Sequence, residues 1–97
     1  MRESALEAKL VRGARRLGWR ALKLVSPGTD GVPDRLLLGP GGRVIFVELK
    51  AEGGKLTQLQ RYQIDRLRQL GQDVRVLVGA AEVEEFLQEI AGGGDAQ

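Results

Sequence analysis

The fold is decided by residues 31–50, whose sequence is GVPDRLLLGPGGRVIFVELK. Residues 34–38 and 43–49 are predicted to be two strands, because leucine, β-branched and aromatic side chains dominate both segments. Residues 39–42 have the glycine and proline content of a hairpin connection. The second strand is apolar on both faces, which predicts a central strand covered on both sides.

Upstream of this hairpin, Leu6, Leu10, Ala14 and Leu17 recur at helical spacing, so residues 3–17 are predicted to form an amphipathic helix that Gly18 ends. Residues 20–25 are predicted to be a strand. The turn chemistry of residues 26–31 indicates a loop.

Downstream, residues 52–55 are predicted to be a flexible connection. Thr57 and Gln60 have the spacing of a capping box that opens a helix running to about Leu70. Residues 74–78 are predicted to be a strand and residues 80–90 a last helix. The order α-β-β-β-α-β-α predicts an α/β fold with a mixed four-stranded sheet flanked by helices. Residues 1–90 are expected to be one domain and residues 91–97 a flexible tail.

Composition restricts the chemistry. The 97 residues include no cysteine and no histidine, so a metal ion would need oxygen ligands, which favours Mg²⁺, Mn²⁺ or Ca²⁺. The first 50 residues carry ten Lys/Arg and five Asp/Glu, and this excess of positive charge suits a polyanionic partner. No apolar run reaches the roughly 20 residues of a membrane span, and a cytoplasmic location is the default expectation.

Asp34, Glu48 and Lys50 are the candidate chemical groups. Glu48 and Lys50 lie two residues apart on a strand and therefore project to one side, and the hairpin would bring the carboxylate of Asp34 close to that of Glu48. Two such carboxylates repel unless a cation lies between them. A divalent cation would relieve the repulsion, and the backbone carbonyl of Leu49 would offer a third oxygen. Lys50 would then contact a phosphate or position a water, an arrangement suited to phosphodiester hydrolysis. The alternative is that Glu48 and Lys50 form an exposed ion pair without a function.

Together, GVPD at 31–34, VELK at 47–50, GKL at 54–56 and Gln60 resemble the VRR-NUC family of the PD-(D/E)XK nuclease superfamily. The resemblance extends from Glu3 to about Phe86. It implies a restriction-endonuclease-like core, Mg²⁺-dependent cleavage of DNA (with Mn²⁺ as a substitute), and metal ligands at Asp34 and Glu48. It also implies a catalytic Lys50 and a supporting Gln60.

Several further residues are candidates to support the site. Glu3 matches an acid that related nucleases carry on the first helix, and Glu7 at the edge of the apolar face is the alternate. Gln60 would serve the site, the helix cap, or both. The candidates for DNA contact are Arg12, Arg16, Arg20, Lys23 and Ser26. The three arginines are spaced four residues apart, which is plausible for sequence-independent backbone contacts.

The resemblance also implies that stand-alone members, often encoded by phages or prophages, form homodimers that act on branched DNA such as four-way Holliday junctions. A bacterial or phage-infected host cell would be the setting. The leading hypothesis is thus a metal-dependent, junction-resolving endonuclease. The alternative is a non-catalytic DNA-binding module on a nuclease scaffold.

Overall fold

A computed structural model describes residues 1–93, and its elements follow the predicted order. The helices and strands are α1 (Glu3–Arg16), β1 (Arg20–Lys23), β2 (Arg35–Leu38), β3 (Val44–Lys50), α2 (Gln58–Gln69), β4 (Asp73–Val78) and α3 (Gly79–Gly93). A single 3₁₀ turn at Pro40–Gly42 joins β2 to β3.

The four strands form one mixed sheet in the order β1-β2-β3-β4. β1, β2 and β3 pair antiparallel, whereas β3 and β4 pair parallel. A parallel pair needs a crossover connection, and α2 supplies it. β3 therefore lies in the interior of the sheet, as its apolar sequence predicts.

One face of the sheet packs against α1 and α3 and forms the main core. Strand alternation sends Leu37, Ile45 and Val47 to this face, where each is at most 1% exposed. The helices contribute the remaining core side chains, among them Leu6, Leu10, Ala14, Val83, Phe86 and Ile90. The remaining helix, α2, packs on the opposite face of the sheet through its buried Ile64. The sheet is thus held between helices, and its strand ends are left to build a site.

Some predicted boundaries are wrong. β1 ends at Lys23 and not at residue 25, because the ladder to β2 runs out there and the chain turns into the Pro27 loop. α3 begins at Gly79, where the carboxylate of Glu82 accepts a hydrogen bond from the Val78 amide at 2.8 Å. The same helix continues to Gly93, so residues 91–93 are helical and not part of a tail. Residues 94–97, the rest of the predicted tail, lie outside the described residues.

Trp19 belongs to the core. The residue is 4% exposed, and the guanidinium of Arg43 lies 5.0 Å from the centroid of its ring. This burial removes the ring from the surface.

Among the described residues, no helix is long and apolar enough to cross a membrane.

Candidate active site

The antiparallel register of β2 and β3 places Asp34 opposite Glu48. Arg35 pairs with Val47 at the start of β2, so the next position outward on one strand faces the next position on the other. This is the approach that the hairpin predicted. The two carboxyl groups meet at the end of the sheet where β3 finishes with Lys50.

Glu48 is the buried acid of the site. It is 5% exposed and is the one charged side chain in the buried set of the described chain. Burial, followed by the charge of Asp34, raises the pKa of Glu48 from 4.5 to about 7, and the nearby Glu3 adds to the rise while Lys50 opposes it. A carboxylate that is costly to ionise beside a second carboxylate favours either a shared proton or a bound cation.

Asp34 has an oxygen that needs a partner. Its Oδ1 atom is buried and accepts no hydrogen bond from any donor within the described part of the chain. The proton that Glu48 retains below neutral pH can satisfy this oxygen, and above neutral pH a cation can do so. A divalent ion with carboxylate and carbonyl ligands has the matching chemistry.

Gln60 makes both contacts that the sequence left open. Its side-chain Oε1 accepts a hydrogen bond from the backbone N–H of Thr57 at 2.9 Å. Its backbone N–H donates to Thr57 Oγ1 at 3.0 Å, which completes the capping box. Its Nε2 donates to Glu48 Oε2 at 3.3 Å. The cap at the start of α2 thereby holds the amide group against the buried acid. Of the alternatives that the sequence left open for Gln60, its contacts match the one in which it caps the helix and reaches Glu48.

A cavity of about 230 Å³ opens between the first turns of α1 and this end of the sheet. Its lining residues are Glu3, Ser4, Glu7, Lys23, Asp34 and Leu49. The side chain of Leu49 is buried in the core and has no polar atom, so the residue can offer only its backbone carbonyl oxygen. Asp34, Leu49 and both candidate acids of α1 therefore lie around one space, whereas Glu48 does not line it.

The two acids of α1 differ in their partners. Glu7 is held by Arg35, with 3.1 Å between Arg35 Nη2 and Glu7 Oε2, and more loosely by Lys23 at 3.9 Å. Glu3 is exposed, and in residues 1–93 it takes part in no salt bridge. Its charge still reaches Glu48. Within residues 1–93, Glu7 is thus paired with cations and Glu3 is not.

The predicted arginine stripe does not lie on one surface. α1 ends at Arg16, and Arg20 begins β1. Arg12 faces a groove beside the active-site cavity, whereas Arg16 faces the cleft between α1 and α3, near Glu84. Ser26 lies in the loop after β1, where its carbonyl accepts from the Thr29 amide at 3.1 Å, and it does not line the cavity.

Sequence reasoning missed the contribution of Arg35. Arg35 follows Asp34 directly, and its side chain is only 14% exposed. It reaches Glu7 across 28 positions of sequence. A charged residue at an inward-facing strand position was the available signal, because such a residue requires a partner.

The donor set is compatible with Mg²⁺. Within residues 1–93 no three Asp, Glu, His or Cys side chains are arranged as a metal cluster, so Asp34 and Glu48 would be the protein carboxylates. Mg²⁺ is commonly bound through one or two carboxylates while it keeps several waters. The orphaned oxygen of Asp34 and the reluctance of Glu48 to ionise fit such a site.

Comparison with known proteins identifies the family and the fold. The family model of the VRR-NUC domain matches residues 3–81. A protein named "Putative nuclease p44", from Acyrthosiphon pisum secondary endosymbiont phage 1, is 49% identical over 77 residues, which cover 79% of this chain and 83% of that protein. A solved structure titled "VRR_NUC domain" superposes with a TM-score of 0.82 at 31% identity, covering 89% of this chain and 94% of that one.

The mixed four-stranded sheet with its flanking helices matches the solved VRR_NUC domain and is consistent with a nuclease of PD-(D/E)XK-like fold. The chain belongs to the VRR-NUC domain family, because the family model matches most of its length and the phage relative is 49% identical over 79% of the chain.

Proposed function

We propose that this protein is a Mg²⁺-dependent DNA endonuclease, with Mn²⁺ as a substitute ion. Its active site, formed by Asp34, Glu48 and Lys50, hydrolyses phosphodiester bonds of the DNA. The observation that carries the proposal is the buried meeting of Asp34 and Glu48, in which one oxygen has no donor and one carboxyl group resists ionisation. When bound there, the divalent ion would stabilise charge on the phosphate and activate a water.

The chain's own residues have separate roles in this proposal. Asp34, Glu48 and the Leu49 carbonyl hold the ion, and Gln60 orients Glu48 through its 3.3 Å hydrogen bond. Lys50 projects from the same face of β3 as Glu48 and contacts the phosphate that is cut. Its ammonium group stabilises the negative charge that develops on the phosphate oxygens.

Glu3 and Lys23 complete the site in this proposal. Both line the cavity that contains Asp34. Glu3 accepts a hydrogen bond from the attacking water and orients it. The side chain of Lys23 is 61% exposed, and its ammonium group contacts a phosphate next to the cut.

We further propose that the substrate is branched DNA, such as a four-way junction, and that the active form is a homodimer. Resolving a junction requires two cuts related by symmetry, and a twofold dimer presents two equivalent sites. The family resemblance supports both statements. Measurement of the molar mass in solution tests the dimer, and a mass of 10.6 kDa at micromolar concentration would contradict it.

Cleavage assays test the enzyme. The protein is incubated with labelled four-way junction, flap and linear duplex in Mg²⁺, in Mn²⁺ and in EDTA. Cleavage that requires a divalent ion and is fastest on the junction is expected. Absence of cleavage in both metals contradicts the enzyme, and salt-sensitive DNA binding without cleavage would leave a DNA-binding module.

A lysine substitution assigns the site. Lys50→Ala is expected to reduce the cleavage rate by about 100-fold or more while DNA affinity changes little, because one charge is a small part of the basic surface. Lys9→Ala is the matched control, since Lys9 pairs with Glu84 at 2.9 Å between α1 and α3, away from the cavity. Equal rates in wild type and Lys50→Ala would place the chemistry elsewhere.

A further inference from the structure

A second groove continues the active-site cavity along α1. It has a volume of about 310 Å³, and Ser4 and Glu7 line both spaces. From there the groove follows the exposed side of α1 past Arg12 and Arg15, and Arg35 of β2 closes its other wall. A DNA strand that enters the active site from this direction would lie along this groove.

The groove is strongly basic. Three of its lining residues are arginines, and Glu7 is the one acid among them. Glu7 is already bound to Arg35. Neither Arg12 nor Arg15 forms a salt bridge within the described residues. Two guanidinium groups are therefore available to an anion beside the site.

Helix geometry separates Arg15 from Arg16. Residues three apart on a helix lie on one side, while consecutive residues differ by about 100°. Arg12 and Arg15 consequently share the groove, whereas Arg16 lines the cleft with α3, where it faces Glu84. The spacing of four that links Arg12 with Arg16 in the sequence is not the pairing that borders the active site.

We propose that this groove binds the phosphodiester backbone next to the scissile phosphate, with Arg12 and Arg15 contacting neighbouring phosphates. The inference rests on the proposed nuclease function, for which it specifies the path of the strand. Guanidinium groups bind phosphate oxygens in a bidentate manner. Because such contacts do not read bases, the groove adds affinity without sequence preference.

The salt dependence of DNA binding tests the groove without requiring cleavage. Affinity for a labelled four-way junction is measured in EDTA between 50 and 300 mM KCl. Arg12→Ala/Arg15→Ala is expected to flatten the slope of log K against log salt by about two and to weaken binding on the order of 10- to 30-fold near 150 mM salt. Arg12→Lys/Arg15→Lys is expected to restore most of the slope.

The control removes the same charge elsewhere. Arg16→Ala/Arg66→Ala combines the other side of α1 with an exposed arginine of α2, and it is expected to bind as the wild type does. Equal losses in both double variants would show an effect of net charge alone and would overturn the groove. So would an unchanged slope in Arg12→Ala/Arg15→Ala.

The outcomes separate this inference from the function on which it rests. If the two double variants differ in salt dependence as expected but the wild type cleaves nothing in Mg²⁺ or Mn²⁺, the proposed nuclease activity is refuted and the proposed DNA contact in the groove stands. If the wild type cleaves DNA but the two double variants do not differ, the nuclease activity stands and the DNA contact in the groove is refuted. Absence of any DNA binding would refute both. Circular dichroism of each variant verifies that the fold is intact.

Discussion

Replacing Glu48 with glutamine is expected to stabilise the metal-free protein above neutral pH. The pKa of Glu48 rises from 4.5 to about 7 because the group is buried and faces Asp34. Each pKa unit corresponds to about 1.4 kcal/mol, so ionisation of Glu48 in the folded state costs on the order of 3 kcal/mol. Glutamine keeps the shape of the side chain and cannot ionise.

The sign follows from linkage. A carboxyl group whose folded pKa lies above its unfolded pKa contributes stability that is fully present below pH 4.5 and is lost as the pH rises through about 7. In EDTA, the free energy of unfolding of the wild type should therefore fall across this window. That of Glu48→Gln should stay flatter, so that the variant exceeds the wild type by up to about 3 kcal/mol at pH 8.

Urea unfolding at a series of pH values measures both curves. Glu85→Gln, an exposed substitution on α3, is the matched control and should follow the wild type. Added Mg²⁺ should recover stability above pH 7 in the wild type and not in Glu48→Gln, because a ligand stabilises only the state that binds it. Parallel pH curves for the wild type and Glu48→Gln in EDTA would refute the reasoning.

Three further results are expected. Thr57→Ala and Gln60→Ala should each lower the free energy of unfolding by about 1 kcal/mol, because each breaks part of the helix cap. Only Gln60→Ala should also slow cleavage, because it alone loses the hydrogen bond to Glu48. Equal cleavage rates in the two variants would contradict this. Glu3→Gln should lower the pKa of the buried acid and reduce cleavage, whereas Glu7→Gln should leave that pKa unchanged, as followed by carboxyl NMR titration in EDTA. Gly31→Ala should cost about 1–3 kcal/mol in urea, because Gly31 has a φ of 89° and an added Cβ would lie 2.8 Å from a backbone oxygen of α2; wild-type stability would refute the strain.

Much of the fold follows from local sequence. The apolar run of residues 44–47 predicts the central strand, and its neighbour across the hairpin predicts the approach of Asp34 to Glu48, because antiparallel register depends on a short connection. The capping box at Thr57 and Gln60 places the start of α2 to within one residue. These features require only contacts between nearby positions.

The remaining features depend on contacts between distant parts of the chain. Local sequence does not reveal that Arg35 binds Glu7, since the two residues belong to different elements and meet only when α1 packs on the sheet. The choice between Arg15 and Arg16 likewise depends on where α3 packs, because both arginines are exposed on the isolated helix. The length of α3 was also mispredicted, since glycines 92 and 93 are poor helix formers that the structure nevertheless includes.

The position of the divalent ion tests the proposal most directly. A crystal soaked in Mn²⁺ and measured for anomalous scattering should show an ion within about 2.5 Å of carboxylate oxygens of both Asp34 and Glu48, and Asp34→Asn should weaken or abolish that peak. A peak elsewhere on the protein, or none at saturating Mn²⁺ above neutral pH, would contradict the site.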